Sequence, residues 1–259
     1  MSMSYTLSDA RVMIGRSLRH TTRNAEAMLT AVMLPVILML MFVYVFGGAM
    51  QTGSEYVDYV VPGLILLCAG FGAGSTAIAV ATDMENGIVD RFRSMPITGS
   101  AVLTGHVTAS LVRNLVATAL VIGVAFCVGW RPDATPLEWL GATAMVVLFI
   151  TAISWLAAAA GLLVRSAEAA NAFTFVIMFV PYVSSAFVPP YTLPAVLRGF
   201  AEHQPVTPVI ETLRGLWMGQ TSTGAAVGEQ AWIAIAWCAG IGVLSYVAAS
   251  VLFRHRTAR

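Results

Sequence analysis

This chain of 259 residues contains no lysine, and all fourteen of its basic residues are arginine. A nucleotide-binding P-loop needs a lysine to reach the β- and γ-phosphates. A Schiff-base enzyme needs one as its amine. Both classes are excluded. Charge of either sign is scarce, at 10% of residues against about 25% in an ordinary soluble domain. Cysteine is scarce too. Cys68, Cys127 and Cys238 are scattered one to an apolar stretch, spaced for neither a disulfide framework nor a metal centre. All three read as small buried apolar residues.

Apolar residues fill the space that charge leaves, at 58% of the chain with a mean hydropathy of +0.80. Six long runs carry no Asp, Glu, Lys or Arg: Ala27–Ser54, Tyr59–Thr82, Asn114–Trp130, Trp139–Val164, Ala169–Leu197 and Gln230–Phe253. A membrane-spanning helix needs about 20 mostly apolar residues, and each run approaches or exceeds that. The expectation is an all-α membrane protein with six transmembrane helices. The first run follows basic residues as a signal peptide would. It is too long for a secretory h-region and five more follow, so we expect an uncleaved first span.

The arginines set the orientation. Arg11, Arg16, Arg19, Arg23, Arg91, Arg93, Arg113 (at the membrane edge), Arg165, Arg254, Arg256 and Arg259 fall on one side, and only Arg131, Arg198 and Arg214 on the other. The positive-inside rule then puts both termini of this multi-pass protein in the cytoplasm. The net charge of +1 gives no reason to expect a nucleic-acid partner.

Charge is also missing from the spans. His106 stands near the cytoplasmic end of span three, while His20, His203 and His255 lie outside the spans. Proton-driven pumps use ionisable residues at membrane depth, so this pattern speaks against an ion-coupled secondary transporter, the alternative class for such a chain. An intramembrane enzyme is disfavoured as well. Ser75 in "GAGSTA" follows glycines as a nucleophile might, but no span offers a base. No metal-binding spacing is present.

Local patterns divide the chain further. Leu7, Ala10, Ile14 and Leu18 recur at helical spacing, with Arg16, Arg19 and Arg23 on another face and Ser8 or Asp9 as a start. Residues 5–24 are therefore expected to form an amphipathic helix in the cytoplasmic interface, against the lipid bilayer. In span two, Gly70 and Gly74 permit close helix approach. Trp130 and Trp139 flank the turn "WRPDATPLEW" and suit a membrane interface. Pro181, Pro189, Pro190 and Pro194 break span five. Then Val209, Ile210, Leu213, Leu216 and Trp217 line one face of a short helix opposite Glu211 and Arg214. Residues 188–229 are expected to form an external re-entrant or hairpin region, too short to span. Met39, Met41, Phe42, Phe173, Phe175, Met178 and Phe179 fit either an apolar route or plain core.

Between spans two and three stands "TDMENGIVDRFRSMPITGS". Met84, Ile88, Phe92 and Met95 mark one side of a helix, Asp83, Glu85, Asp90, Arg91 and Arg93 occupy the rest, and Pro96 ends it. A helix made only for lipid head groups would favour arginine. Acids outnumber arginines here, which favours docking of this face into a groove on a protein partner.

"ENGIVDRFRSMPITGSAVLTGHVTASLVRN" resembles the E-x-G-x-x-x-R-x-R-x-x-P stretch of type 2 ATP-binding-cassette (ABC) exporter permeases, in particular the daunorubicin/doxorubicin-resistance permeases of actinobacteria. "QPVTPVIETLRGLWMG" is similar to the family's N-P-x-T-P…R…G segment, with Gln204 in place of Asn. The resemblance covers nearly the whole chain as a single permease domain, residues 1–259, and implies a place in the bacterial plasma (inner) membrane. It implies a cytoplasmic coupling helix at 84–96, docked on a separate ATPase, with Glu85, Gly87, Ile88, Arg91, Phe92, Arg93 and Pro96 as its residues. It implies an external hairpin motif of Gln204, Pro205, Thr207, Pro208 and Arg214. It also implies a non-catalytic subunit that binds no cofactor, with ATP and Mg in two copies of a partner ABC ATPase and a second permease copy, as a homo- or heterodimer. The cargo expected of such an exporter is a hydrophobic drug, antibiotic or lipid-like molecule.

Overall fold

A computed structural model describes residues 25–47, 56–86, 99–164 and 166–257. The expected interfacial helix at 5–24, residues 87–98 of the charged segment and Arg165 lie outside the described residues.

The described residues form eight α-helices and no strand. Helix α1 spans Ala25–Leu40 and runs on into a π-helical turn, Met41–Phe46. Among the described residues, four helices are long and apolar enough to cross a membrane: α2 (Tyr56–Glu85), α3 (Gly99–Val128), α4 (Pro136–Leu163) and α8 (Val227–Thr257). Two shorter apolar helices accompany them, Val32–Phe46 and Ala167–Val183, the second formed by α5 (Ala167–Phe179) and a 3-10 turn at Val180–Val183. Helices α6 (Ala195–His203) and α7 (Val206–Met218) follow. The all-α membrane architecture agrees with the expectation.

Helix α2 is the axis of the bundle, packed against α1, α3, α4, α5 and α7. Its glycines make that crowding possible. A methyl group on Gly72 would overlap the side-chain amide of Asn114 on α3, and one on Gly74 would overlap Thr174 on α5. Small residues let helices approach closely where lipid supplies no hydrophobic driving force. Gly70 faces Ile177 more loosely. The Gly70/Gly74 pair therefore serves packing within the chain.

Helix α3 begins at Gly99, well before the charge-free run that marked it, so Arg113 lies within the helix. A single arginine does not end a helix, because its propensity is close to that of leucine. Helix α4 starts at Pro136, with a capping box in which Thr135 N donates to Glu138 Oε2 at 2.7 Å and Glu138 N to Thr135 Oγ1 at 3.4 Å. Proline ends α5 on schedule, since Pro181 opens the 3-10 turn and Pro189 and Pro190 introduce another.

Two readings need correction. Trp130 is fully buried rather than interfacial, packed edge-on to Trp217 at 5.2 Å and to Trp139 at 6.0 Å. The tight turn at Gly129, with φ 111°, folds the ring inward over the bundle. Cys127 is exposed on the outer side of α3, whereas Cys68 and Cys238 are buried as expected.

Candidate functional site

Three polar constellations stand out from the apolar bundle. The first is at the end of α2 that leads into the charged segment. Asp83 of α2 and His106 of α3 meet across the gap, His106 Nε2 lying 3.0 Å from Asp83 Oδ2. Glu85, the last residue of α2, is exposed and accepts the backbone N–H of Ala167 at 3.4 Å. Ala167 is the first residue of α5, where unpaired amides and the helix dipole favour a carboxylate. Ser166 caps the same turn by accepting from Ala169 N at 3.2 Å. Of the expected coupling residues only Glu85 is described. Gly87, Ile88, Arg91, Phe92, Arg93 and Pro96 lie outside the described residues, between anchored ends.

The second is at the opposite end of the bundle, around α7. The sequence sets Glu211 and Arg214 opposite the apolar stripe of this helix. That side is buried as well, with Glu211 0% and Arg214 4% exposed. Arg214 pairs with Glu211 through Nη1 and donates to Ser222 Oγ at 3.0 Å. Its Nη2 donates to the carbonyls of Tyr59 at 2.9 Å and Ser185 at 2.8 Å. Glu211 in turn accepts Ser222 N–H and O–H, both at 2.6 Å. Facing inward, the Arg214 fork donates at once to carbonyls of two separate segments and to a carboxylate.

Gln204, Pro205, Thr207 and Pro208 build the corner before that helix. Gln204 Oε1 accepts Val206 N–H at 3.1 Å, and its amide donates to Thr207 Oγ1 at 3.1 Å. Thr207 Oγ1 also accepts Ser185 N–H at 3.4 Å and donates to Ala201 O. Gln204 thus ties the first amide of α7 to its first turn. Pro205 precedes the helix, and Pro208 is buried in it. The structure brings Gln204, Thr207 and Arg214 together on the Ser185 turn.

The third was missed in the sequence. Arg113 Nη2 donates to Gly72 O at 3.1 Å and to Thr76 Oγ1 at 3.2 Å. Ser75 and Thr76 hydroxyls donate to the same carbonyl at 2.7 and 3.3 Å. Beside it, Asn114 Nδ2 donates to Ser110 O at 2.9 Å, and Ser110 Oγ lies 2.9 Å from Ser154 Oγ of α4. Ser75 is therefore occupied by its own helix. The dipeptide Arg113–Asn114 beside an uncharged run is the signal that could have found this layer.

Of the Met and Phe residues considered as an apolar route, Met39 is core while Phe175 and Phe179 face outward. A cavity of about 140 Å³ lies elsewhere, between α3, α4 and α7, walled by Thr118, Ile122, Trp139, Val146 and Trp217.

Residues 9–218 match the ABC-2 type transporter family. The daunorubicin resistance ABC transporter permease protein DrrB1 of Streptomyces coeruleorubidus is 28% identical over 190 residues, covering 73% of this chain and 67% of the relative. The probable doxorubicin resistance ABC transporter permease protein DrrC of Mycobacterium tuberculosis is 24% identical over 255 residues, covering 95% and 91%.

Proposed function

This chain belongs to the ABC-2 type transporter family, and from that premise we propose that it is the membrane subunit of an ATP-driven exporter. A separate cytoplasmic ABC ATPase supplies energy, binding ATP and Mg that this lysine-free chain has no P-loop to hold. Two ATPase copies act with two permease copies, as homo- or heterodimer, in the bacterial plasma membrane. Helices Val32–Phe46 and Ala167–Val183 act as spans one and five, which with the four long helices makes six and leaves both termini cytoplasmic. Residues 188–229 form an external hairpin. The cargo is a hydrophobic drug, antibiotic or lipid-like molecule, by analogy with the names of the relatives.

The observation that carries this reading is the anchoring on both sides of the charged segment. A load applied to residues 85–96 meets α3 through Asp83 and His106 and α5 through Glu85 and Ala167. A partner pressing on Ile88, Phe92, Arg91 and Arg93 would therefore move three helices together, as an interdomain lever requires.

The test is co-expression of the chain with its candidate ATPase, comparing wild type with Arg91→Glu plus Arg93→Glu. Co-purification of the ATPase and export of a fluorescent hydrophobic drug are both expected to fall at least about tenfold, as loss of charge-assisted contacts implies. Unchanged association and export would sink the coupling assignment.

A further inference from the structure

We propose that the cavity between α3, α4 and α7 binds a neutral amphiphile, which brings a carbonyl oxygen to Thr118 and Trp217. The cavity measures about 140 Å³, close to the space in which an apolar pocket takes one benzene ring. Leu115 and Ile122 of α3, Val146 of α4 and the side chains of Trp139 and Trp217 wall it. Ala119 and Thr143, both exposed, complete the wall on α3 and α4. The cavity therefore opens sideways, between two membrane-crossing helices.

Two buried donors set the chemistry. Thr118 is 4% and Trp217 1% exposed, and neither Thr118 Oγ1 nor Trp217 Nε1 has a hydrogen-bond partner among the described residues. For Thr118 this is a departure. Thr82, Thr108, Thr143, Thr151 and Thr174 each donate the hydroxyl to the carbonyl four residues back in their own helix. Thr118 has the same helical setting and leaves that bond unmade. A buried hydroxyl without a partner is costly, and valine would fill the same shape without the cost. An indole N–H can only donate, so the group that answers Trp217 is an acceptor.

The acceptor is neutral. No charged side chain is among the residues that wall the cavity, and an ion there would lose its hydration without a counter-ion. A carbonyl oxygen has two lone pairs and accepts two donors at once, one from α3 and one from α7. Thr118 lies about 15 Å along α3 from its end at Val128, whereas Trp139 stands in the first turn of α4. The wall thus runs from a helix end to apolar depth, as an amphiphile with one polar end requires. The site needs only the membrane reading, and its test uses the permease without an ATPase. Failure here leaves the coupling assignment to its own experiment.

The full-length permease, in nanodiscs of ether-linked phosphatidylcholine that has no ester carbonyl, is irradiated with benzophenone as photolabel. Adducts mapped by mass spectrometry are expected on the peptides that carry Leu115, Ile122 and Val146. Acetophenone and α-methylstyrene, alike in shape but with a carbonyl in one and a methylidene in the other, then compete at matched bilayer concentrations. In wild type acetophenone should protect about tenfold better, the gain from its one accepting oxygen. Thr118→Val should lose most of that preference at an unchanged or raised melting temperature, and Thr118→Ser should keep it. Adducts only elsewhere, no preference in wild type, or the full preference in Thr118→Val would each overturn the proposal. Ester-linked phosphatidylcholine distinguishes the source: weaker labelling identifies a lipid ester as the natural carbonyl, and undiminished labelling identifies a free amphiphile.

Discussion

The guanidinium of Arg214 lies over the ring of Tyr59, its Cζ 3.9 Å from the centroid, and the same group donates to the Tyr59 carbonyl at 2.9 Å. One side chain on α7 thus holds the first turn of α2 by its face and by its backbone. Arg214 is tied to Glu211 as well, so the three residues form one buried unit. Its energetics are those of a desolvated ion pair. Together the pair is close to neutral against apolar replacements, but either member alone is a liability.

Removing one partner should therefore cost more than removing both. Arg214→Met is expected to destabilise the protein by about 3–5 kcal/mol, seen as a lower melting temperature in detergent. Glu211→Gln with Arg214→Met should recover a large part of that loss. A double variant less stable than Arg214→Met would show that contacts other than the ion pair govern this corner.

The approach of α3 to α2 predicts a different failure. Gly72→Val forces bulk into the space held by the Asn114 amide and should cost about 1–3 kcal/mol by overpacking. Asn114→Ala opens that space and is expected to restore part of the stability in the double variant, at the expense of the Ser110 contact. Additive losses in the melting temperatures would mean the two positions do not share a space.

Cysteine accessibility tests the helix faces. Cys127 is exposed while Cys68 and Cys238 are buried. N-ethylmaleimide should add to the folded protein at one site, Cys127, and to all three only after denaturation, as read by mass spectrometry of the intact chain. Native labelling of Cys68 or Cys238 would contradict the packing of α2 or α8.

The membrane class and most helix positions were legible because the bilayer imposes one strong rule, a long uncharged run for each crossing. The run Tyr59–Thr82 lies inside α2, and Trp139–Val164 closely matches α4. The same rule hid two features. The charge-free run begins only after Arg113, although the helix continues through a charge that finds a backbone acceptor. The rule also left the partners of Glu211 and Arg214 unnamed, because nothing local points to the carbonyls of Tyr59 and Ser185. Those acceptors lie 155 and 29 residues away in the chain, beyond any local pattern. Trp130 failed for a related reason. Tryptophan suits both a membrane interface and a core, and only the positions of Trp139 and Trp217 decide between them. The expected coupling residues beyond Glu85 rest on resemblance and on the anchoring of the segment's ends.

The aromatic corner has a practical consequence. Three of the six tryptophans meet there, one from the turn after α3, one from α4 and one from α7, with ring centroids 5.2 to 6.0 Å apart. Indoles at such separations couple optically, so the near-ultraviolet dichroism of the whole chain should be dominated by this one junction. The protein carries its own gauge of whether α7 is seated.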